Sequence, residues 1–243
     1  ISRLMVSFRD LSGTAQLPAG ESPSAEQPAV HPVQSEPLSI ELLTCKSFRN
    51  GASMIVTALN GSPRRNGNTA CLLKTVLGVL EDAGIETKML QLGGMHLHGC
   101  TACGKCYENK DRKCIIDDGM NELMESVFNS DGMLIGSPTY FSNVSTETKA
   151  FIDRAGFVAL ANGGLLRRKV GAAVTAVRRA GAVNVFDAIN KFFFINQVIV
   201  PGSSYWNLGI GREEGEVISD EEGIRTMKVL GENMGWLMKK LAD

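Results

Sequence analysis

Histidine is scarce in these 243 residues, with only His31, His96 and His98. A histidine-based nucleophilic triad therefore has little to build with. Charge of one sign is also missing: the formal net charge is −1, which removes the electrostatic case for binding nucleic acid. No apolar run approaches the roughly 18 residues that a membrane span needs. The first residues lack the basic-then-apolar order of a signal peptide. The expected setting is cytoplasmic and reducing, with no membrane partner. Proline is rare outside one stretch. Five of eight prolines fall in "LPAGESPSAEQPAVHPVQSEP" (Leu17–Pro37), which carries almost no periodic apolar pattern. Such a segment cannot bury enough surface to offset its ordering entropy. Residues 1–50 are expected to be a disordered extension, with "ISRLMVSFRDL" at most a short amphipathic piece. Met54 opens the first good strand, which suggests an upstream extension of a gene whose core begins there. An intact tail in the native protein's mass would contradict that.

Apolar residues make up 44% of the chain, enough for a full core. From residue 53 the pattern alternates. Strands are expected at 54–60, 87–92, 132–138, 169–177 and 197–202, the first of them a buried strand by its β-branched, apolar run. Helices are expected at 68–84, 119–131, 144–156, 181–196 and 219–242 from apolar stripes at helical spacing, with Asp118 as the cap of the second. Alternating strands and helices argue an α/β domain over 53–243, with a parallel sheet covered on both faces. In such sheets ligands sit beyond the carboxyl ends of the strands.

The loop after the first strand reads "GSPRRNGNT" (Gly61–Thr69) and leads into a helix. Gly61 and Gly67 permit a tight turn. Ser62, Asn66, Asn68 and Thr69 offer polar side chains, and Arg64 and Arg65 bring charge. With the free amides and dipole of the helix start, this suits a phosphate. The Gly-Lys-Ser/Thr ending of a Walker A loop is absent, as is G-x-G-x-x-G. The plainer alternative is a polar turn capped by Asn68 or Thr69. After the third strand comes "SPTYFSNVS" (Ser137–Ser145). Pro138 limits the backbone, and Tyr140 and Phe141 are aromatic residues off any helical stripe. They fit a flat heteroaromatic ring, although Phe141 could equally cap the sheet as core. "TAVRRAGA" (Thr175–Ala182) follows the fourth strand at the same edge. Thr175, Arg179 and Gly181 could complete the cradle. Arg178 and Arg179 could instead be a solvated face or bind a phosphate of NADPH.

"LNGSPRRNGNT" together with "GSPTYFSNVSTETKAFIDR" resembles the flavodoxin-like NADPH-dependent FMN reductase superfamily, and in particular its iron–sulfur flavoprotein branch. The resemblance covers Met54 to about Asp243. It implies a flavodoxin-like sheet of five parallel strands in the order 2-1-3-4-5, with FMN at the switch point. It implies that Ser62, Arg64, Asn68 and Thr69 hold the FMN phosphate, and that Pro138, Thr139, Tyr140, Phe141 and Asn143 lie near the flavin. It also implies homodimers or homotetramers with FMN near a subunit interface.

"GCTACGKCYENKDRKC" (Gly99–Cys114) packs four of six cysteines into a polar, Gly-rich loop after the second strand. The spacing C-x2-C-x2-C-x7-C brings Cys100, Cys103, Cys106 and Cys114 round one centre, the manner in which iron–sulfur proteins collect the corners of a cube. Structural zinc more often uses two separated C-x2-C hooks. A disulfide or free thiols remain open. The branch resembled has this compact motif with a variable last gap. His96 and His98 are expected to be surface groups, and Cys71 a small core residue.

The chain is therefore expected to be a redox flavoprotein that moves electrons between a [4Fe–4S] cluster and FMN. Its donor would be NAD(P)H or a ferredoxin-like carrier. One alternative is an NAD(P)H-dependent FMN or quinone reductase whose cysteines hold no cluster. Another is a non-catalytic zinc- or flavin-binding module. The aromatic segment "YWNLGIGREEGEV" (Tyr205–Val217) is expected to be a loop after the last strand, with Trp206 either interfacial or packed on the sheet edge.

Overall fold

Continuous apolar runs can be buried on both faces only in a sheet covered on both sides, and that is how this chain folds. In the computed structural model, β1 (Ile55–Asn60), β2 (Glu86–Gln91), β3 (Gly132–Pro138), β4 (Val170–Val177) and β5 (Leu208–Ile210) form one sheet in the order β2-β1-β3-β4-β5. Every strand pairing is parallel. The structure describes residues 53–242, which fall within one compact unit. The extension expected over 1–50, with His31 and Cys45, lies outside the described residues.

The helices are α1 (Asn68–Asp82), α2 (Lys105–Asn109), α3 (Met120–Phe128), α4 (Thr146–Ala161), α5 (Ala182–Ile195) and α6 (Glu221–Ala242). One face of the sheet packs on α3, α4 and α5 through Val127, Phe151, Val185 and Phe193. The other packs on α1 and α6 through Leu72, Val76, Leu230 and Met234. Each of these side chains is fully buried, and burial of such a side chain stabilises the fold by about 1.5–3 kcal/mol. Among the described residues, no helix is long and apolar enough to cross a membrane.

The expected strand at 197–202 needs correction. Ile199 makes only an isolated parallel bridge with Val170, and Pro201, which has no N–H to donate to a ladder, ends the pairing. The chain loops out through Tyr205 and Trp206, then returns as β5 beside Thr175–Val177. The edge of β4 is thus covered by two separate pieces. The aromatic segment contains the fifth strand instead of following it. Two short elements also escaped the sequence pattern: α2, and a 3-10 turn at Glu216–Ser219.

Asp220 holds β5 in place. Its carboxylate accepts from Ile210 N at 2.7 Å and from Gly223 N, in the first turn of α6, at 3.0 Å. Replacing Asp220 with Ala should therefore cost about 1–2 kcal/mol in urea unfolding, the cost of losing a helix cap. An unchanged midpoint would contradict this role.

Candidate functional site

The loops that leave the carboxyl ends of the strands build two neighbouring sites. In the first, Asn60 at the end of β1 receives Ser62 N at 3.2 Å and donates to Gln91 Oε1 at 2.9 Å. Gln91 in turn donates to Ser62 O at 2.7 Å. The Ser62 hydroxyl accepts from Arg64 N at 3.2 Å. This network ties the first loop to β2 and fixes the approach to α1. Gly67 occupies the N-cap position of α1, and no side chain caps it. The capping role open to Asn68 is not taken up; its Oδ1 accepts from Val217 N at 3.2 Å instead. The first-turn amides of α1 therefore lack a side-chain acceptor.

The loop after β3 is pinned from both sides. Thr139 donates from its amide (2.9 Å) and its hydroxyl (3.0 Å) to Ala176 O. Tyr140 and Asn143 exchange two backbone bonds of 2.9 Å, which closes a two-residue hairpin with Phe141 and Ser142 at its tip. Both tip residues are left-handed, with φ 49° and 58°, a conformation that Asn-Gly usually fills and that strains other residues. Phe141 is fully exposed, so it does not cap the core. Gly181 is also left-handed, at φ 88°. A side chain on it would overlap the Ser142 hydroxyl, so glycine is what lets the β4 loop reach the hairpin.

Ser62, Arg64, Asn68, Thr69, Pro138, Thr139 and Tyr140 line one cavity of about 200 Å³. Ala176, Val177, Arg178, Gly211 and Arg212 complete it. Gly211 and Arg212 had no signal in the sequence, because they reach the cavity only through the displaced β5. The remaining expected residues lie around it. Ser137 is buried and accepts from Ser145 N at 3.0 Å, so it belongs to the frame. Asn66 is exposed and accepts from Lys74 Nζ at 3.3 Å. Thr175 is fully buried, with its hydroxyl unpartnered. Phe141, Arg179 and Gly181 stand outside the lining. Asn143 lines a different cavity, with Gly99, Thr146 and Lys149.

Cys100, Cys103, Cys106 and Cys114 all line a second cavity of about 130 Å³, whose walls include Ile116, Arg154 and Phe157. All five described cysteines are free thiols. Among the described residues, no three His, Cys, Asp or Glu side chains are drawn into metal-ligating geometry. The sulfurs thus share a cavity, not a closed coordination shell. Donors are nonetheless aimed at them. Ala102 N reaches Cys100 Sγ at 3.4 Å, and Arg154 Nε reaches Cys114 Sγ at 3.3 Å. The Lys105 amide and the Thr101 hydroxyl hold the Cys103 thiol below its usual range. Burial pushes Cys106 up, and the nearby Cys100 and Cys103 add to that. A thiol set wrapped by N–H donors is chemically suited to an iron–sulfur cluster. His96 and His98 are exposed and off this lining. Cys71 is partly buried and packs against the core beneath α1, at its margin and not in its interior.

Arg154 had no signal in the sequence, and neither did its pairing with Asp118. Its side chain is fully buried and pairs with Asp118 at 2.6 Å. Asp118 precedes the N-cap Gly119 of α3 instead of being that cap. Burial opposes charge on Asp118, but the bonds from Arg154 and the His98 amide outweigh it and hold the carboxyl below its ordinary range. Burial also opposes charge on Arg154, and Asp118 and Cys114 outweigh it.

Ser145 connects the frame. It caps α4, its hydroxyl donates to Gly61 O at 2.7 Å, and Thr148 Oγ1 lies 2.8 Å away. A side chain on Gly61 would overlap that Thr148 hydroxyl. Ser145→Ala leaves a buried carbonyl unsatisfied and should lower stability by about 1–3 kcal/mol. Chemical denaturation with no change would contradict the role given to this bond.

The model of the NADPH-dependent FMN reductase family matches residues 54–213. An iron–sulfur flavoprotein of Methanocaldococcus jannaschii is 35% identical over 193 residues, covering 76% of this chain and 98% of the relative. One from Archaeoglobus fulgidus is 32% identical over 195 residues, covering 77% and 98%. Among solved structures, RosB with bound 8-demethyl-8-formylriboflavin-5'-phosphate superposes with a TM-score of 0.61 at 18% identity, covering 78% of this chain and 80% of that one. A flavodoxin, WrbA-like protein from Agrobacterium tumefaciens gives 0.54 at 13%, covering 78% and 99%. At those identities the likeness is one of fold.

Proposed function

This chain belongs to the NADPH-dependent FMN reductase family, in its iron–sulfur flavoprotein branch, and on that premise we propose that it passes electrons between FMN and a [4Fe–4S] cluster held in one subunit. It is a flavin-dependent oxidoreductase. The observation that carries the finer proposal is the pairing of two sites. One is an uncapped helix start flanked by Arg64, Arg178 and Arg212. The other is an apolar cavity ringed by four thiols.

In this reading the FMN phosphate sits against the first-turn amides of α1. Ser62 and Thr69 donate to it, and Arg64 neutralises it. Anions gain at such a helix start from both the dipole and the free N–H groups. Pro138, Thr139 and Tyr140 flank the ring, with Phe141 and Asn143 farther out on the same loop. Arg178 and Arg212 line the same cavity and supply positive charge to it. Cys100, Cys103, Cys106 and Cys114 ligate the cluster, with the Ala102 amide and the Arg154 guanidinium bonded to two of the sulfurs. When bound, the flavin supplies two-electron exchange and the cluster single-electron exchange. The chain binds, orients and shields both. Electrons arrive from NAD(P)H or from a ferredoxin-like carrier in a reducing, cytoplasmic setting. Assembly into homodimers or homotetramers is part of the proposal; Tyr205 and Trp206, about half exposed with ring centroids 4.8 Å apart, offer a surface for it.

Protein purified without oxygen should contain iron and acid-labile sulfide in equal amounts, together with FMN. Cys106→Ala should lose the iron and keep the FMN. Zinc in place of iron, or no sulfide, would overturn the cluster and favour the plain reductase. Arg64→Ala should raise the FMN dissociation constant about tenfold or more, because it removes a charged bond to phosphate. Unchanged fluorescence titrations would move the phosphate elsewhere.

A further inference from the structure

A fully buried guanidinium is an unusual wall for a cavity of thiols. Arg154 projects from the third turn of α4 and uses four of its five N–H groups. Nε donates to Cys114 Sγ at 3.3 Å. Nη1 donates to His98 O at 3.1 Å and to Asp118 Oδ2 at 2.6 Å. Nη2 donates to Ile116 O at 2.8 Å. His98 lies two residues before the first cysteine of the motif, and Ile116 lies two residues after the last. One side chain therefore grips both ends of the loop that carries all four thiols. Asp118 reinforces the grip by accepting from His98 N at 2.8 Å.

The N-cap of the same helix is tied to the loop after β1 by the bond from Ser145 to Gly61 O. Nine residues of helix, roughly 13 Å along the axis, separate the two anchors. The helix thus fixes the cysteine loop at a set spacing from the phosphate loop.

A clamp alone needs no charge. Apolar packing holds loops without the desolvation that a buried cation suffers. The guanidinium instead bonds a sulfur. From this, and resting on the cluster reading above, we propose that Arg154 is the positioning residue of the cysteine centre. It holds the two ends of the loop together and, through Cys114, raises the cluster's reduction potential. Reduction adds one electron to a cluster already made anionic by its thiolates. A hydrogen-bonded cation beside one ligand stabilises that added charge. Asp118, the counter-charge, offsets part of the effect.

The test uses the full chain, prepared without oxygen, as wild type, Arg154→Gln and Asp118→Asn. Potentiometric titration would follow the cluster by electron paramagnetic resonance and the flavin by absorbance. The cluster potential should fall in Arg154→Gln and rise in Asp118→Asn, with the flavin potential unmoved in both. Arg154→Gln should also lose iron to chelator at about tenfold lower concentration. If Arg154→Gln does not fold, the sign of the shift in Asp118→Asn decides. Loaded variants whose cluster potentials match wild type, or shift together with the flavin's, would overturn this inference and leave the cluster reading standing. A wild type without iron would overturn both, and would do so before any variant is measured.

Discussion

A parallel sheet buried on both faces leaves one place for chemistry, the edge where its strands end. That constraint governs this molecule. β1 and β3 stop side by side, and their pairing extends one step further through the 2.8 Å bond from Gly61 N to Gly136 O. The Ser145 hydroxyl then closes on Gly61 O. The phosphate-type loop, the aromatic hairpin and the start of α4 are thereby locked to one another. From that point α4 carries the lock to Arg154 and the cysteine loop. The two cavities are consequences of a single edge, not separate additions to the fold.

Much of this was legible in the sequence because the signals are local. The apolar stripe of α1 and the unbroken run of β4 depend only on neighbours in the chain. The polar loop after β1 and the cysteine spacing are local as well. What was not legible depends on distance. In "FIDRAG", Arg154 reads as an exposed helix position, and its burial makes sense only once Asp118, thirty-six residues away, is placed beside it. Asp118 itself was legible as a helix-start residue, and one oxygen does accept from Met120 N at 3.3 Å. Its other oxygen is what the sequence could not announce. Gln197–Gly202 had the composition of a strand, but Pro201 withheld the next ladder bond and the pairing passed to Leu208–Ile210. The short helix α2 has five residues and no buried face, so periodicity had nothing to detect.

Strain follows the same geography. Of seven described non-glycine residues with positive φ, Ala102, Lys110 and Arg112 lie in the cysteine loop, and Phe141 and Ser142 form the hairpin tip. Each such residue costs of order 1–3 kcal/mol and persists only where its surroundings over-determine it. The surroundings here are the Arg154 fork at one loop and the paired backbone bonds of Tyr140 and Asn143 at the other. The chain tolerates unfavourable backbone in the loop that carries the four thiols and at the hairpin that carries Phe141. Elsewhere the described backbone is largely unstrained.

In the proposed function one subunit carries two electron-accepting groups. Anaerobic reductive titration of the purified, loaded chain counts them directly. Uptake should reach about three electron equivalents per chain, two into the flavin and one into the cluster. Uptake that stops at about two, with the visible spectrum of flavin alone, would contradict it.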